Sequence, residues 1–493
     1  MNTRIRSILF VVFSVCSLLL PAFDGMGLAF AAEVDPLAEP ALIASRMRTA
    51  EPALIASRMR TAEPGAPADS VVKDDLVVAD VADAVNKKTA ADIDREIEKI
   101  RADLIKIRRF IHMNPQLPGR ESETAKLISG RLLALGIEVR SGAAKTGLVG
   151  LLRGGQPGPW VAIRADLDAE AVQEQGDAGF KSLNPGVMHA SGHDIHTTIG
   201  LGTAMVLSAL KDQWRGGVKF IFQPGTEESA AGDEGGAALM IKEGVLDNPP
   251  VAAIFGLHLW TDLLGQAYLA SGPFLAASDS FHIQVRGKSA AAGQAPESPD
   301  AVVLAAQIII GLQTLLGRVT DPTDPVQLII GRIEGGTKED APADRVTIDG
   351  VLRTLTEASR KRLPRAMENV AKGIAQSFGG EATFQFAPDI PTVYNHPDLL
   401  RLMSPTFDET LGEKRLVEIK PQMMADDFGR YGQRIPSLFF FLGARNPRLG
   451  PLAPLHSPNF NPDERTISLG IKLMAHLLID CLEQQDGADK TPR

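Results

Sequence analysis

Three imidazoles and a carboxylate fall within the nine residues Met188 to His196, MHASGHDIH, in a chain that has only nine histidines altogether. Downstream lie Glu227 and Glu228, adjacent in QPGTEES, then His258 closing the apolar run VAAIFGLH, then His456 in PLHSPNF. Neutral imidazoles and carboxylates form a borderline ligand set suited to zinc, manganese, cobalt or nickel. A second, adjacent carboxylate can then serve as base on a water that the metal activates.

Such residues, scattered over a long stretch of chain, need a scaffold to bring them together. Several stand where an apolar segment meets a Gly/Pro-punctuated loop, the place where an α/β sheet builds its site. The pattern predicts helices over Ala91–Ile107 and Thr124–Leu135, then strands at Gly147–Leu152, Trp160–Ala165, Val218–Gln223 and Ala252–His258, with helices Thr197–Leu210 and Gly236–Glu243 between them. That alternation argues for a mostly parallel sheet with helices on both faces.

From Ser278 the order becomes strand, helix, strand, strand, helix, strand: Phe281–Val285, Ala301–Leu316, Val326–Ile333, Arg345–Thr354 and Arg360–Phe378 mark it. This is the signature of an inserted α+β sandwich. The apolar strand Ser437–Leu442 and the helix Ser468–Leu482 return the chain to the first sheet. The expected division is therefore a first catalytic part over 91–277, an inserted lid or dimerisation domain over 278–391, a second catalytic part over 392–485 and a tail over 486–493.

The N-terminus carries Arg4 and Arg6, an apolar run from Ile8 to Leu20 and the small-x-small stretch Ala29, Phe30, Ala31. It reads as a cleaved export signal over 1–31, with a periplasmic or secreted product. No other segment is expected to cross a membrane. Residues 38–49 recur unchanged at 50–61 among several prolines, so 32–90 reads as a flexible tether. Only Cys481 would survive cleavage, which leaves no internal disulfide. A net charge of -9 without a basic stripe, and few aromatics, argue against nucleic acid.

Ordered blocks along residues 92–485, among them RRFIHMNPQLPGRE, TGLVGLLRGG, RADLDAE, MHASGHDIHTT, FIFQPGTEE, GLHLW, DGVLRT, ADDFGRYGQRIPSLFFFLG and PLHSPNF, resemble the aminoacylase and carboxypeptidase type of co-catalytic metallohydrolases. The nearest branch is that of hippurate and auxin-conjugate amidohydrolases. The resemblance implies two divalent ions, held by His193, Glu228, His258 and His456, with Glu227 as general acid and base. Asp168 would act beside Glu227. Asp166, His189 and His196 would support the ligands from behind, and Arg353 would receive the substrate carboxylate. It further implies a homodimer acting on N-acyl amino acids or short peptides.

The chain departs from that pattern in three places. Ser191 stands where the branch has a metal-bridging cysteine, which puts the second ion in doubt or shifts the site towards harder ions such as manganese. Ala291, in GKSAAAGQAP, stands where a histidine reaches the scissile carbonyl, and His282 is nearby only in sequence. Glu170 and Ala171 replace the usual Leu and Pro after the acidic pair. The leading expectation is an exported metal-dependent amidohydrolase. A weakened or inactive member that binds amino-acid-like ligands, and an exported dipeptidase or aminopeptidase, are the alternatives.

Overall fold

A computed structural model describes residues 69–226, 236–287, 299–339 and 341–489. The leader, the duplicated segment, Glu227, Glu228 and Ala291 lie outside the described residues.

The first described helix, α1 (Asp69–Met113), is 45 residues long. It covers the last part of the expected tether, 69–90, which is therefore helical. No proline or glycine interrupts the chain between Asp69 and Met113, so nothing local stops the helix at Ala91. Next come α2 (Ser122–Ala134), β1 (Glu138–Ala143), β2 (Gly147–Arg153), β3 (Gln156–Asp166), α3 (His193–Ala209), β4 (Arg215–Gln223), α4 (Gly236–Lys242) and β5 (Ala253–Leu263). After β6 (Ala267–Leu269), β7 (Gly272–Leu275) and β8 (Ala277–Arg286) the chain forms α5 (Ala301–Val319), β9 (Val326–Gly335), β10 (Arg345–Thr354), α6 (Glu357–Ser377) and β11 (Glu381–Ile390). It ends with β12 (Val393–Asn395), α7 (Pro397–Leu411), β13 (Leu416–Glu418), the short α8 (Gly429–Gly432), β14 (Ser437–Arg445) and α9 (Arg465–Asp489).

Eight strands make one sheet in the order β1-β2-β4-β3-β5-β14-β6-β13. Its centre is parallel, β4 with β3, β3 with β5, and β5 with β14. Those strands are buried almost throughout, from Trp160 to Asp166 and from Ser437 to Ala444, as strands covered on both faces must be. Because β4 lies on one side of β3 and β5 on the other, the chain reverses direction around β3, and the crevice at its carboxyl end is left open for a site.

The second sheet, β11-β8-β10-β9, is antiparallel. Along β8, Ala277, Asp279, Phe281, Ile283 and Val285 are buried and their neighbours less so, the alternation of a sheet with one covered face. Helices α5 and α6 cover it, with Leu304, Ile308, Leu363 and Met367 in a separate apolar cluster. Helix α5 is long and apolar enough to cross a bilayer by length and composition, contrary to the expectation that no such segment follows the leader. Its Leu304, Ile308 and Leu312 face packs in that cluster, while Val303 and Ile310 on other faces are 53% and 60% exposed.

Candidate metal centre

The strand β3 ends with Arg164 and Asp166, both buried, and Asp168 follows one residue beyond the strand's end, after Leu167. A buried guanidinium needs carboxylates around it. Arg164 has three: Nη1 donates to Asp166 Oδ2 at 2.8 Å, and Nη2 to Asp426 Oδ1 at 2.9 Å and Asp427 Oδ1 at 3.0 Å. Asp427 also accepts from the Gln223 side chain and, at 2.7 Å, from the Ala237 N–H. Burial alone would raise the Asp166 carboxyl, but His193, His196 and Arg164 hold it well below the usual carboxylate range.

His193 and His196 lie on the first turn of α3, which starts four residues earlier than the apolar pattern implies. The preceding Gly192 has φ +88°, and a Cβ there would come within 2.5 Å of Leu259 Cδ1, so glycine alone fits the turn. His193 Nδ1 lies 2.9 Å from the Asp168 carbonyl oxygen. His196 is held at both ends, Nδ1 2.7 Å from Asp166 Oδ1 and Nε2 accepting the Leu259 N–H at 2.9 Å.

The histidine His258 sits within β5, in register with Phe441 of β14, and not at the strand's end. Its Nδ1 lies 2.8 Å from the Leu259 carbonyl oxygen, a bond it must donate, which leaves Nε2 with the lone pair. Burial, and then the neighbouring His196 and His193, keep it neutral well below the ordinary imidazole range. One potential ligand atom from each of His193, His196 and His258 lies within 4.8 Å of the others. With both nitrogens of His196 engaged, His193 and His258 are the pair suited to a divalent cation, and His196 fixes them from behind.

On the opposite side His456 has φ +60° and a half-exposed ring. Its backbone N–H donates to the Ala190 carbonyl at 2.9 Å, and its Nδ1 lies 3.4 Å from Ser191 Oγ. Glu170 is beside it, 9% exposed, and its Oε1 has no hydrogen-bond partner. A buried imidazole pair with a spare carboxylate oxygen is a donor set that fits divalent metal.

The described residues on either side of 227–235 are each held by a carboxylate. Thr226 donates to Asp168 through its N–H, at 2.8 Å, and through its hydroxyl. Glu121 Oε1 accepts the Gly225 N–H at 2.8 Å, and Ala237 is the residue held by Asp427. Asp168 thus touches both His193 and the residue before Glu227. Glu121, Arg164, Asp426 and Asp427 carry this framework without having been assigned a role from sequence, although all lie in quoted blocks.

His189 is fully buried, pushed down to about 3 by burial, and makes no hydrogen bond among the described residues; its ring lies 6.4 Å from that of His112. His112, which drew no attention in the sequence, places Nδ1 2.8 Å from Asp194 Oδ2 beside the Arg108 ion pair to the same oxygen. Arg353, on β10, donates from Nη1 to the Met423 carbonyl at 2.9 Å, an anchor on the loop leading into Asp426 and Asp427. His282 pairs with Asp349 across two strands at 2.6 Å.

Comparison with known proteins agrees with this geometry. The family described as Peptidase family M20/M25/M40 matches residues 162–480. An N-acetylcysteine deacetylase of Bacillus subtilis is 36% identical over 382 residues, 77% of this chain and 97% of that protein. An IAA-amino acid hydrolase of Arabidopsis thaliana is 37% identical over 379 residues, 76% of this chain and 84% of that protein. A crystal structure described as a dinuclear metal binding peptidase from the M20 family, from Bacillus subtilis, superposes with TM-score 0.68 at 33% identity, covering 78% of this chain and 99% of that one. The chain belongs to the M20/M25/M40 peptidase family, as a metal-dependent hydrolase of amide bonds.

Proposed function

We propose that this hydrolase releases the amino acid from N-acyl amino acids or short peptides at a two-metal centre, with Glu227 moving the proton. The observation that carries the reading is the pairing of His193 and His258 beside Asp168, which ties the histidine cluster to the residue before Glu227. His193, His258, His456 and Glu228 are the ligands in this reading. Zinc, manganese, cobalt or nickel would lower the pKa of water towards neutrality there. Glu227 takes a proton from the attacking water and returns it to the leaving amine. Arg353 is the group that meets a substrate carboxylate in this reading.

The names of the two relatives, a deacetylase of an acylated amino acid and a hydrolase of an amino-acid conjugate, support that substrate class. Purified full chain assayed against N-acetyl, N-benzoyl and dipeptide panels with Mn, Zn or Co tests it. Glu227→Gln should lower kcat by about 10²–10⁴-fold with metal content unchanged. Equal activity in that variant would remove Glu227 from the chemistry.

Export and homodimerisation belong to the same proposal. The leader-like N-terminus supports the first; Ile310 on α5 and Ile333 on β9, both more than half exposed, support the second. Fractionation of an expressing bacterium and light scattering test them in turn.

A further inference from the structure

Two departures from the family pattern meet at one point. Glu170 occupies a leucine position and Ser191 the position of the bridging cysteine, in separate sequence blocks. In the fold the gap closes, because Glu170 N–H donates to the Met188 carbonyl at 2.9 Å and Met188 N–H to the Glu170 carbonyl at 3.0 Å. This two-way bridge lays Glu170 against the MHASG segment.

From there Glu170 Oε2 accepts the Ala190 N–H at 2.5 Å, while Oε1 has no hydrogen bond and lies 4.0 Å from His456 Nδ1. The Ser191 side chain faces the same carboxylate, and its Oγ is also near His456. A carboxylate buried to this degree, with one oxygen unsatisfied, is costly unless a cation meets it.

We propose that Glu170 is the anionic ligand of the second metal ion, its Oε1 replacing the thiolate that the family pattern places at residue 191. Ser191 is then a positioning residue for that carboxylate. The assignment rests on the two-metal reading above. It also makes the second site an oxygen and nitrogen site, harder than one containing sulfur.

The test is metal stoichiometry, read by elemental analysis and by calorimetric titration of Mn(II), Zn(II) and Co(II) into metal-stripped full chain. Wild type should bind two ions. Glu170→Gln keeps the shape and an acceptor for the Ala190 N–H but removes the charge, and should weaken the second ion about 10–100-fold, leaving about one per chain after gel filtration. Glu170→Leu combined with Ser191→Cys should restore two and give a sulfur-to-cobalt charge-transfer band with Co(II). Unchanged thermal unfolding of the metal-free Gln variant establishes that it is folded. Two tightly held ions in Glu170→Gln would overturn the ligand assignment alone; fewer than two in wild type would overturn it together with the two-metal reading.

Discussion

The two sides of the centre are built on different principles. His193, His196 and His258 are buried at the junction of α3, β3 and β5, backed by Asp166, Arg164, Asp426 and Asp427 in one lattice of charge-assisted bonds. Across from them, His456 is half exposed on a loop and Glu170 keeps an oxygen without a partner. The first side is held in place before any ligand arrives, because its carboxylates and the one guanidinium are tied together by hydrogen bonds. The second is completed by its ligands, and it is the side open to substrate.

The most severe way to break this contrast is Asp166→Asn. It strips Arg164 and His196 of a shared anion and should cost about 3–5 kcal/mol of unfolding free energy, together with metal affinity, measured by urea titration and elemental analysis. A loss below about 1 kcal/mol would mean the lattice is not the rigid half. His456→Ala should behave in the opposite manner, lowering metal affinity about 10–100-fold while the metal-free protein unfolds within about 1 kcal/mol of wild type.

The smallest effect concerns a half-buried carboxyl for which no ion pair is seen among the described residues. Asp480 on α9, which accepts a hydrogen bond from Thr406 Oγ1 at 2.6 Å, is pushed up to about 6 by burial. Its folded pKa lies above the unfolded value of about 3.9, so the native state holds the proton more tightly. Stability from this group is full below about pH 4 and is lost as pH rises through about 6. Asp480→Asn should therefore gain about 1 kcal/mol at about pH 8 and nothing at about pH 4, read from thermal melts at the two values. A gain independent of pH would show that Asp480 is not an uncompensated charge and so does not contrast with the compensated Asp166.

Much of the sheet could be read in advance, because Trp160–Ala165, Val218–Gln223 and Ser437–Leu442 are apolar runs that only a doubly covered strand explains. The histidines could be singled out because few compete with them. The start of α3 at His193 could not, since it depends on a left-handed Gly192 fitted against Leu259 of a distant strand. His112 finds Asp194 across 82 positions, a relation with no local trace in the sequence. Glu170 stood out only as a replacement for the usual Leu; its meaning comes from the bridge to Met188, which is also long-range.

The placement of the described cysteine carries a chemical consequence. Cys481 lies inside α9 with no exposed surface. With serine at residue 191, peroxide and thiol-alkylating agents meet no sulfur ligand at the centre and no accessible thiol among the described residues.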